Sequence, residues 1–86
     1  MDVTRGAGEE VVIRVEGIFD AEAARRLSAQ LQELPTRAPV VVEFGRDCLD
    51  LGLAEVASAF AGRESLVVRG LSRHQHKLLR YLGVEL

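Results

Sequence analysis

The feature that most constrains the fold is a regular exchange between two hydrophobic periodicities along the chain. Short runs rich in β-branched residues occur at Glu10–Glu16, Val40–Phe44 and Leu66–Val68, and such runs are typical of half-buried or fully buried strands. Between and after these runs, apolar residues recur at intervals of three and four, which is the period of an amphipathic helix. Strands that alternate with helices in this way predict an α/β fold in which neighbouring strands are parallel.

Three helices are predicted, and each has a recognisable start or stop signal. Asp20 can cap the first helix, and Pro35 ends it. The second helix covers Leu51–Ala61, and the third begins at Ser72, which has the spacing of a reciprocal capping box with Gln75. The inward apolar positions are Ala24, Leu27, Leu31 and Leu34 in the first helix, Leu53, Val56, Ala57 and Phe60 in the second, and Leu78, Leu79 and Leu82 in the third.

The whole chain is predicted to form a single domain over residues 1–86, with its core in residues 10–86. A length of 86 residues is enough for one modest hydrophobic core and leaves no room for a separate substrate domain. Residues 1–9 are expected to form a short strand at Asp2–Thr4 and a turn at Arg5–Gly8. The predicted architecture is therefore a β-α-β-α-β-α sandwich: a mixed, mostly parallel sheet with packed helices and an antiparallel strand at its amino end.

Composition excludes several classes of function. Hydrophobic residues make up 48% and charged residues 28% of the chain, as in ordinary globular proteins. The net charge is −2, and the basic residues are scattered along the sequence, so nucleic-acid binding is not expected. No apolar run is long enough to span a bilayer, and no leader pattern opens the chain, so we expect a cytoplasmic protein that reaches a membrane only through a partner.

No residue pattern predicts a metal or cofactor site. His74 and His76 are the densest candidate metal ligands, but residues two apart on a helix point in different directions. No glycine-rich phosphate loop is present. The single cysteine, Cys48, could be a nucleophile only if a basic partner lowered its pKa. No histidine lies near it in sequence, so we interpret it as a structural thiol.

Two carboxylates, Asp47 and Asp50, lie in the predicted loop between the second core strand, Val40–Phe44, and the second helix. They allow three interpretations: an acid/base pair, a negative surface for a partner, or a helix cap provided by Asp50, which is the best supported. An enzyme would need Asp47, Cys48 or Asp50 as its catalytic group. Because nothing assembles a nucleophile, a base and an oxyanion site, no catalytic residue is predicted.

The outer face of the second helix is a candidate interaction surface. Ala54, Ser58 and Ala61 are small residues spaced four and three apart, which predicts a flat strip that another protein can approach closely. The alternative interpretation is that alanine is simply the best helix former. Self-association into a homo-oligomer, through such a face or through the unpaired sheet edge near the amino end, is a further possibility.

Four short motifs follow one another along the chain. They are Gly17-Ile18-Phe19-Asp20 followed by Ala23 and Leu27, Val41-Val42-Glu43-Phe44, Gly52-Leu53, and Leu66-Val67-Val68 with Leu78-Leu79 and Leu82-Gly83-Val84. In their order and spacing, these motifs resemble the STAS domain, the fold of bacterial anti-sigma-factor antagonists, stressosome subunits and regulatory domains of some transporters. The resemblance covers Glu10 to Leu86.

The resemblance implies a regulatory switch whose acceptor residues are missing from this chain. In the family, a kinase phosphorylates a Ser or Thr in the loop before the second helix, and the added charge at the helix start controls partner binding. Here Asp50 and Leu51 occupy the corresponding positions, and the connection from Glu43 to Gly52 is shorter than usual. The switch is therefore expected to be absent or permanently set, with a fixed negative charge on Asp50 in place of a phosphate as one alternative.

The resulting hypothesis is a non-catalytic protein-interaction and regulatory domain without a cofactor. The leading partner is a kinase-fold anti-sigma factor, and the alternative is the ATPase of a membrane lipid transport complex, which small STAS proteins also bind. The predicted partner-binding residues all belong to the loop before the second helix or to that helix. They are Asp47, Asp50, Leu51, Gly52, Leu53, Ala54, Ser58 and Ala61.

Overall fold

The structure is a computed structural model that describes residues 1–86, and it contains four strands and three helices. In chain order the elements are β1 (Asp2–Arg5), β2 (Val11–Val15), α1 (Ala21–Gln32), β3 (Val40–Phe44), α2 (Asp50–Ala61), β4 (Leu66–Arg69) and α3 (Arg73–Tyr81). The strands form one sheet in the order β1-β2-β3-β4. Only β1 and β2 are antiparallel, so the predicted α/β architecture, with its antiparallel strand at the amino end, is confirmed.

The sheet buries only one of its faces. Ile13 pairs with Val42 and Val42 pairs with Val68, so their side chains share a face, and all three are buried. The residues that alternate with them along each strand point to the opposite face of the sheet. None of these is buried, so this second face is open. Its ion-paired residues, with N–O distances of 3.3 and 3.9 Å, are Arg14, Glu43 and Arg69. Exposed pairs of this kind contribute little, so stability comes from the covered face.

The covered face and the three helices share one hydrophobic core of 18 buried residues. Three aromatic rings cross it. The rings of Phe19 and Phe44 meet edge to face with centroids 4.9 Å apart, and Phe44 meets Phe60 of α2 at 6.4 Å. Edge-to-face pairs at these distances add stability beyond their buried area, so the segment before α1, strand β3 and helix α2 are joined through one aromatic chain.

Two predicted helix starts are confirmed. The Asp20 carboxylate accepts a hydrogen bond from the Ala23 N–H at 2.9 Å, which satisfies one of the unpaired donors at the start of α1. At α3 the capping box is complete: the Ser72 hydroxyl accepts from the Gln75 N–H at 3.2 Å, and the Gln75 side chain accepts from the Ser72 N–H at 3.1 Å.

Two predicted inward residues lie outside their helices. Leu34 follows the end of α1, which closes at Gln32, and is partly buried against the core. Leu82 is the residue that ends α3, and its side chain is exposed rather than inward. In each case the helix stops before the apolar period does. Leu34 still packs against the core from outside α1, whereas Leu82 is turned towards solvent.

The carboxyl end of α1 is held by an arginine from a distant segment. Arg63 follows α2, and its guanidinium donates hydrogen bonds at 2.6 to 3.3 Å to four backbone carbonyls. The acceptors are Leu31, Leu34, Pro35 and Ala38. A cation at this position also complements the negative end of the helix dipole, so Arg63 joins the ends of α1 and α2.

Replacing Arg63 with methionine is expected to lower the free energy of unfolding by about 2 kcal/mol, because partly buried carbonyls lose charged hydrogen bonds. Urea titration followed by circular dichroism measures the change. Arg37→Met is the control, since Arg37 is exposed and its one ion pair, with Glu64 at 3.5 Å, is exposed too, so it should change stability by less than about 0.5 kcal/mol. Equal effects of the two substitutions would contradict the role of Arg63.

Candidate functional site

The candidate site lies where the parallel strands β2 and β3 end. The loops that follow these strands are tied together by an isolated parallel bridge between Phe19 and Cys48. The Phe19 N–H donates to the Asp47 carbonyl at 2.8 Å, and the Leu49 N–H donates to the Phe19 carbonyl at 3.1 Å. In open α/β sheets, binding sites form at this carboxyl edge, and here the bridge gives the loop before α2 a fixed path.

Gly52 lets the start of α2 approach the other loop closely. A Cβ atom at this position would overlap the Phe19 carbonyl oxygen and collide with the Phe19 ring. Gly52 is buried, and the Leu53 side chain is fully buried in the core. The two residues were predicted to bind a partner, but burial makes them unavailable to one, so they act in packing and position the exposed residues around them.

Asp50 does not cap α2, and the prediction that it does was wrong. The chain turns into the helix one residue earlier, so that Leu49 is the capping residue and provides no side-chain hydrogen bond. Asp50 is instead the first residue of the helix, where a carboxylate is favoured by the helix dipole. Its Oδ2 lies 3.1 Å from Nε2 of His74, which is exposed on the first turn of α3.

The first turn of α3 supports this loop through a second contact. Gln75, the capping-box residue, also donates from its side-chain nitrogen to the Cys48 carbonyl at 2.7 Å. The loop before α2 is thus held from two sides, by Phe19 and by α3. Sequence reasoning missed the contacts of both His74 and Gln75 with this loop, because they join residues 24 and 27 positions apart and leave no local signal.

The remaining predicted residues form an exposed surface, here named the docking strip: Asp47, Asp50, Leu51, Ala54, Ser58 and Ala61. Leu51 is 75% exposed, and two further apolar side chains on the linked loops are also exposed, Ile18 at 64% and Leu49 at 46%. Neither was predicted. Ile18 could have been found by alternation, since it adjoins the inward-facing Phe19 in an extended segment. Exposed apolar side chains on a supported loop are typical of interaction sites.

The chemistry available at this edge is limited. Burial and, secondarily, the negative charge of Asp50 raise the pKa of the Cys48 thiol from 9.0 to about 11, whereas a nucleophilic cysteine needs a lowered pKa. His74 lies beside Asp50, and His76 is partly buried on another face of α3. No group of three or more His, Cys, Asp or Glu side chains converges as a metal site would require.

Comparison with known proteins identifies a family. The family model with the description "Mlab, STAS domain" matches residues 3–85, nearly the whole chain. No curated protein and no solved structure matches. None of the three helices has the length and apolar character needed to cross a bilayer.

Gly52→Ala should lower the free energy of unfolding by about 1 to 3 kcal/mol, the usual cost of overpacking. Alanine gains roughly 1 kcal/mol in helix propensity, but the collision with the Phe19 backbone outweighs it. Gly62→Ala is the matched control, because nothing lies within 4 Å of its Cβ position and its φ is negative. Urea titration measures both variants, and a stability gain in Gly52→Ala would contradict the close approach.

The Cys48 thiol should react slowly with iodoacetamide at neutral pH. With a pKa of about 11, only about one thiol in ten thousand is ionised at pH 7, and the rate should still rise about tenfold per pH unit above pH 9. Mass spectrometry of the alkylated chain measures the rate against pH. Asp50→Asn should shift the profile to lower pH. A rate that levels off below pH 8.5 would contradict the assigned environment.

Proposed function

Since the chain belongs to the STAS family, we propose that it is a non-catalytic regulatory domain that binds another protein through the docking strip. STAS domains are generally non-catalytic and commonly bind other proteins. The high pKa of the Cys48 thiol supports the same interpretation, because the thiol at this edge is kept protonated and unreactive. The expected compartment is the cytoplasm.

The observation that carries the proposal is an exposed apolar and small-residue surface on a rigid support. Leu51 is 75% exposed on the first turn of α2, and the small residues Ala54, Ser58 and Ala61 continue the exposed surface along the helix. The loop before it is fixed by hydrogen bonds from Phe19 and Gln75. A preorganised surface of small side chains loses little conformational entropy on binding.

Binding at this strip is proposed to be constitutive. No Ser or Thr occurs between Gly45 and Leu53, and the next hydroxyl along the chain, on Ser58, lies about two turns into α2. A kinase therefore finds no acceptor at the start of the helix, where a phosphate would act most strongly. Asp50 supplies a permanent carboxylate there, partly exposed and in contact with His74.

Two classes of partner suit this surface. The absence of a phosphate-accepting Ser or Thr at the start of α2 favours one of them over the other. A kinase-fold anti-sigma factor would be held without the phosphorylation cycle that normally releases it. The ATPase of a membrane transport complex needs no such cycle, because a constitutive regulatory subunit can remain bound. We therefore favour the transport ATPase, with the anti-sigma factor as the second candidate.

The test is capture of a partner from a lysate of the source cells. Wild-type domain is compared with Asp50→Arg/Ala54→Arg, which places two cations one turn apart on the docking strip. The partner should be retained by the wild type and lost by this variant, because the new charges and bulk prevent close approach. Mass spectrometry identifies the partner and distinguishes an ATPase from an anti-sigma factor.

Ala29→Arg/Glu33→Arg is the matched control, with the same spacing and charge change at exposed positions on the last turn of α1 and at the residue that caps it. Circular dichroism checks that both variants fold. Retention of the same partner by the folded Asp50→Arg/Ala54→Arg variant, or its loss only in the α1 variant, would place the binding surface elsewhere.

A further inference from the structure

One face of α3 carries an unbroken row of cations. Arg73, Lys77 and Arg80 are spaced four and three apart, so they lie on the same side of the helix, and all three are exposed. We name them the cationic row. No carboxylate occurs within α3, and none of the three forms an ion pair in the structure. Three of the eleven basic residues of the chain therefore lie together on one exposed helix face with no ion-pair partner.

The cationic row borders a groove that runs along the edge of the sheet. The groove has a volume of about 390 Å³, and we name it the edge groove. Its lining is Leu66, Val67, Val68, His76, Arg80 and Leu86. Four of these residues are apolar, so the groove can receive an aliphatic side chain. Arg80 belongs to both the groove and the cationic row.

The wall of the edge groove is an unpaired strand. β4 is the last strand of the sheet, and its backbone bonds only to β3: no other hydrogen bond involves the peptide groups of Leu66–Arg69. An edge strand with free N–H and C=O groups is a template for a further strand from another chain.

We propose that the β4 edge, the edge groove and the cationic row together bind an extended acidic segment of a partner protein, which joins the sheet as a fifth strand. The backbone of the segment pairs with β4, alternate aliphatic side chains enter the groove, and carboxylates meet Arg80 and Lys77. Arginine recognises carboxylates in particular through its paired donors.

The unpaired backbone selects a peptide over other anionic ligands. Lipid headgroups and nucleic acids offer the cationic row their phosphates, but they have no regular series of donors and acceptors to match a strand edge.

The other sheet edge provides an internal comparison. The groove near β1 includes Glu16 and Arg26, so both signs of charge are present and no preference for an acidic ligand is expected.

Binding at the β4 edge is independent of the docking strip, because the test uses no captured partner and measures a different surface.

The probe is a soluble peptide that alternates glutamate and valine, titrated into the isotopically labelled full chain. Nuclear magnetic resonance should show shifts at the amides of Leu66–Arg69 and of α3, and slower hydrogen exchange in β4. Raising the salt concentration from about 50 to about 500 mM should weaken binding, because the carboxylate contacts are solvent-exposed.

Two matched peptides separate charge from strand pairing. A peptide that alternates lysine and valine should not bind, and one that alternates glutamate and proline should bind much more weakly, since proline cannot donate a backbone hydrogen bond. The double variant Lys77→Glu/Arg80→Glu should bind the glutamate–valine peptide about tenfold or more weakly. The control variant Arg5→Glu/Arg25→Glu has the same net charge and should bind like the wild type.

Several results would overturn the proposal. They are no saturable binding of the glutamate–valine peptide, equal binding of the lysine or proline peptide, equal loss in both double variants, or shifts confined to the β1 edge. Binding of phosphatidylglycerol vesicles or duplex DNA through α3, without binding of the peptide, would assign the cationic row to a membrane or a nucleic acid instead.

Discussion

The structure depends on the burial of Phe19 between the two loops at the carboxyl edge of the sheet. Its ring packs edge to face on Phe44, and its backbone exchanges hydrogen bonds with the loop before α2. Gly52 admits this contact because it has no side chain. Phe19 thus anchors the aromatic core and also sets the path of the loop. The shape of the docking strip therefore follows from the packing beneath it.

α3 connects the two surfaces to which we assign binding. Its first turn supports the docking strip through His74 and Gln75, and its outer face carries the cationic row beside β4. Only one side of the sheet is covered by helices, so the molecule has a packed layer, an open sheet face and two strand edges. Because a fold alone does not determine function, the assignment of binding depends on the residues exposed on these surfaces.

The sequence predicts most of the fold because its signals there are local. Strand patterns, the Asp20 cap and the Ser72–Gln75 capping box each depend on neighbours within four residues, and all are present in the structure. The site is harder to predict because distant segments build it. Helix α2 begins one residue before the expected position, so Asp50 is part of the helix and contacts His74 instead of capping α2. Arg63 donates to four carbonyls that no local pattern identifies.

The central claim is that the loop and outer face of α2 form the protein-binding surface. Amide hydrogen exchange of the domain, free and bound to its purified partner, tests this most directly, since protection reports which backbone segments a partner covers or rigidifies. The account predicts added protection in residues 47–58, with β1 unchanged. Protection confined to β1 or to the open face of the sheet, with none in residues 47–58, would contradict it.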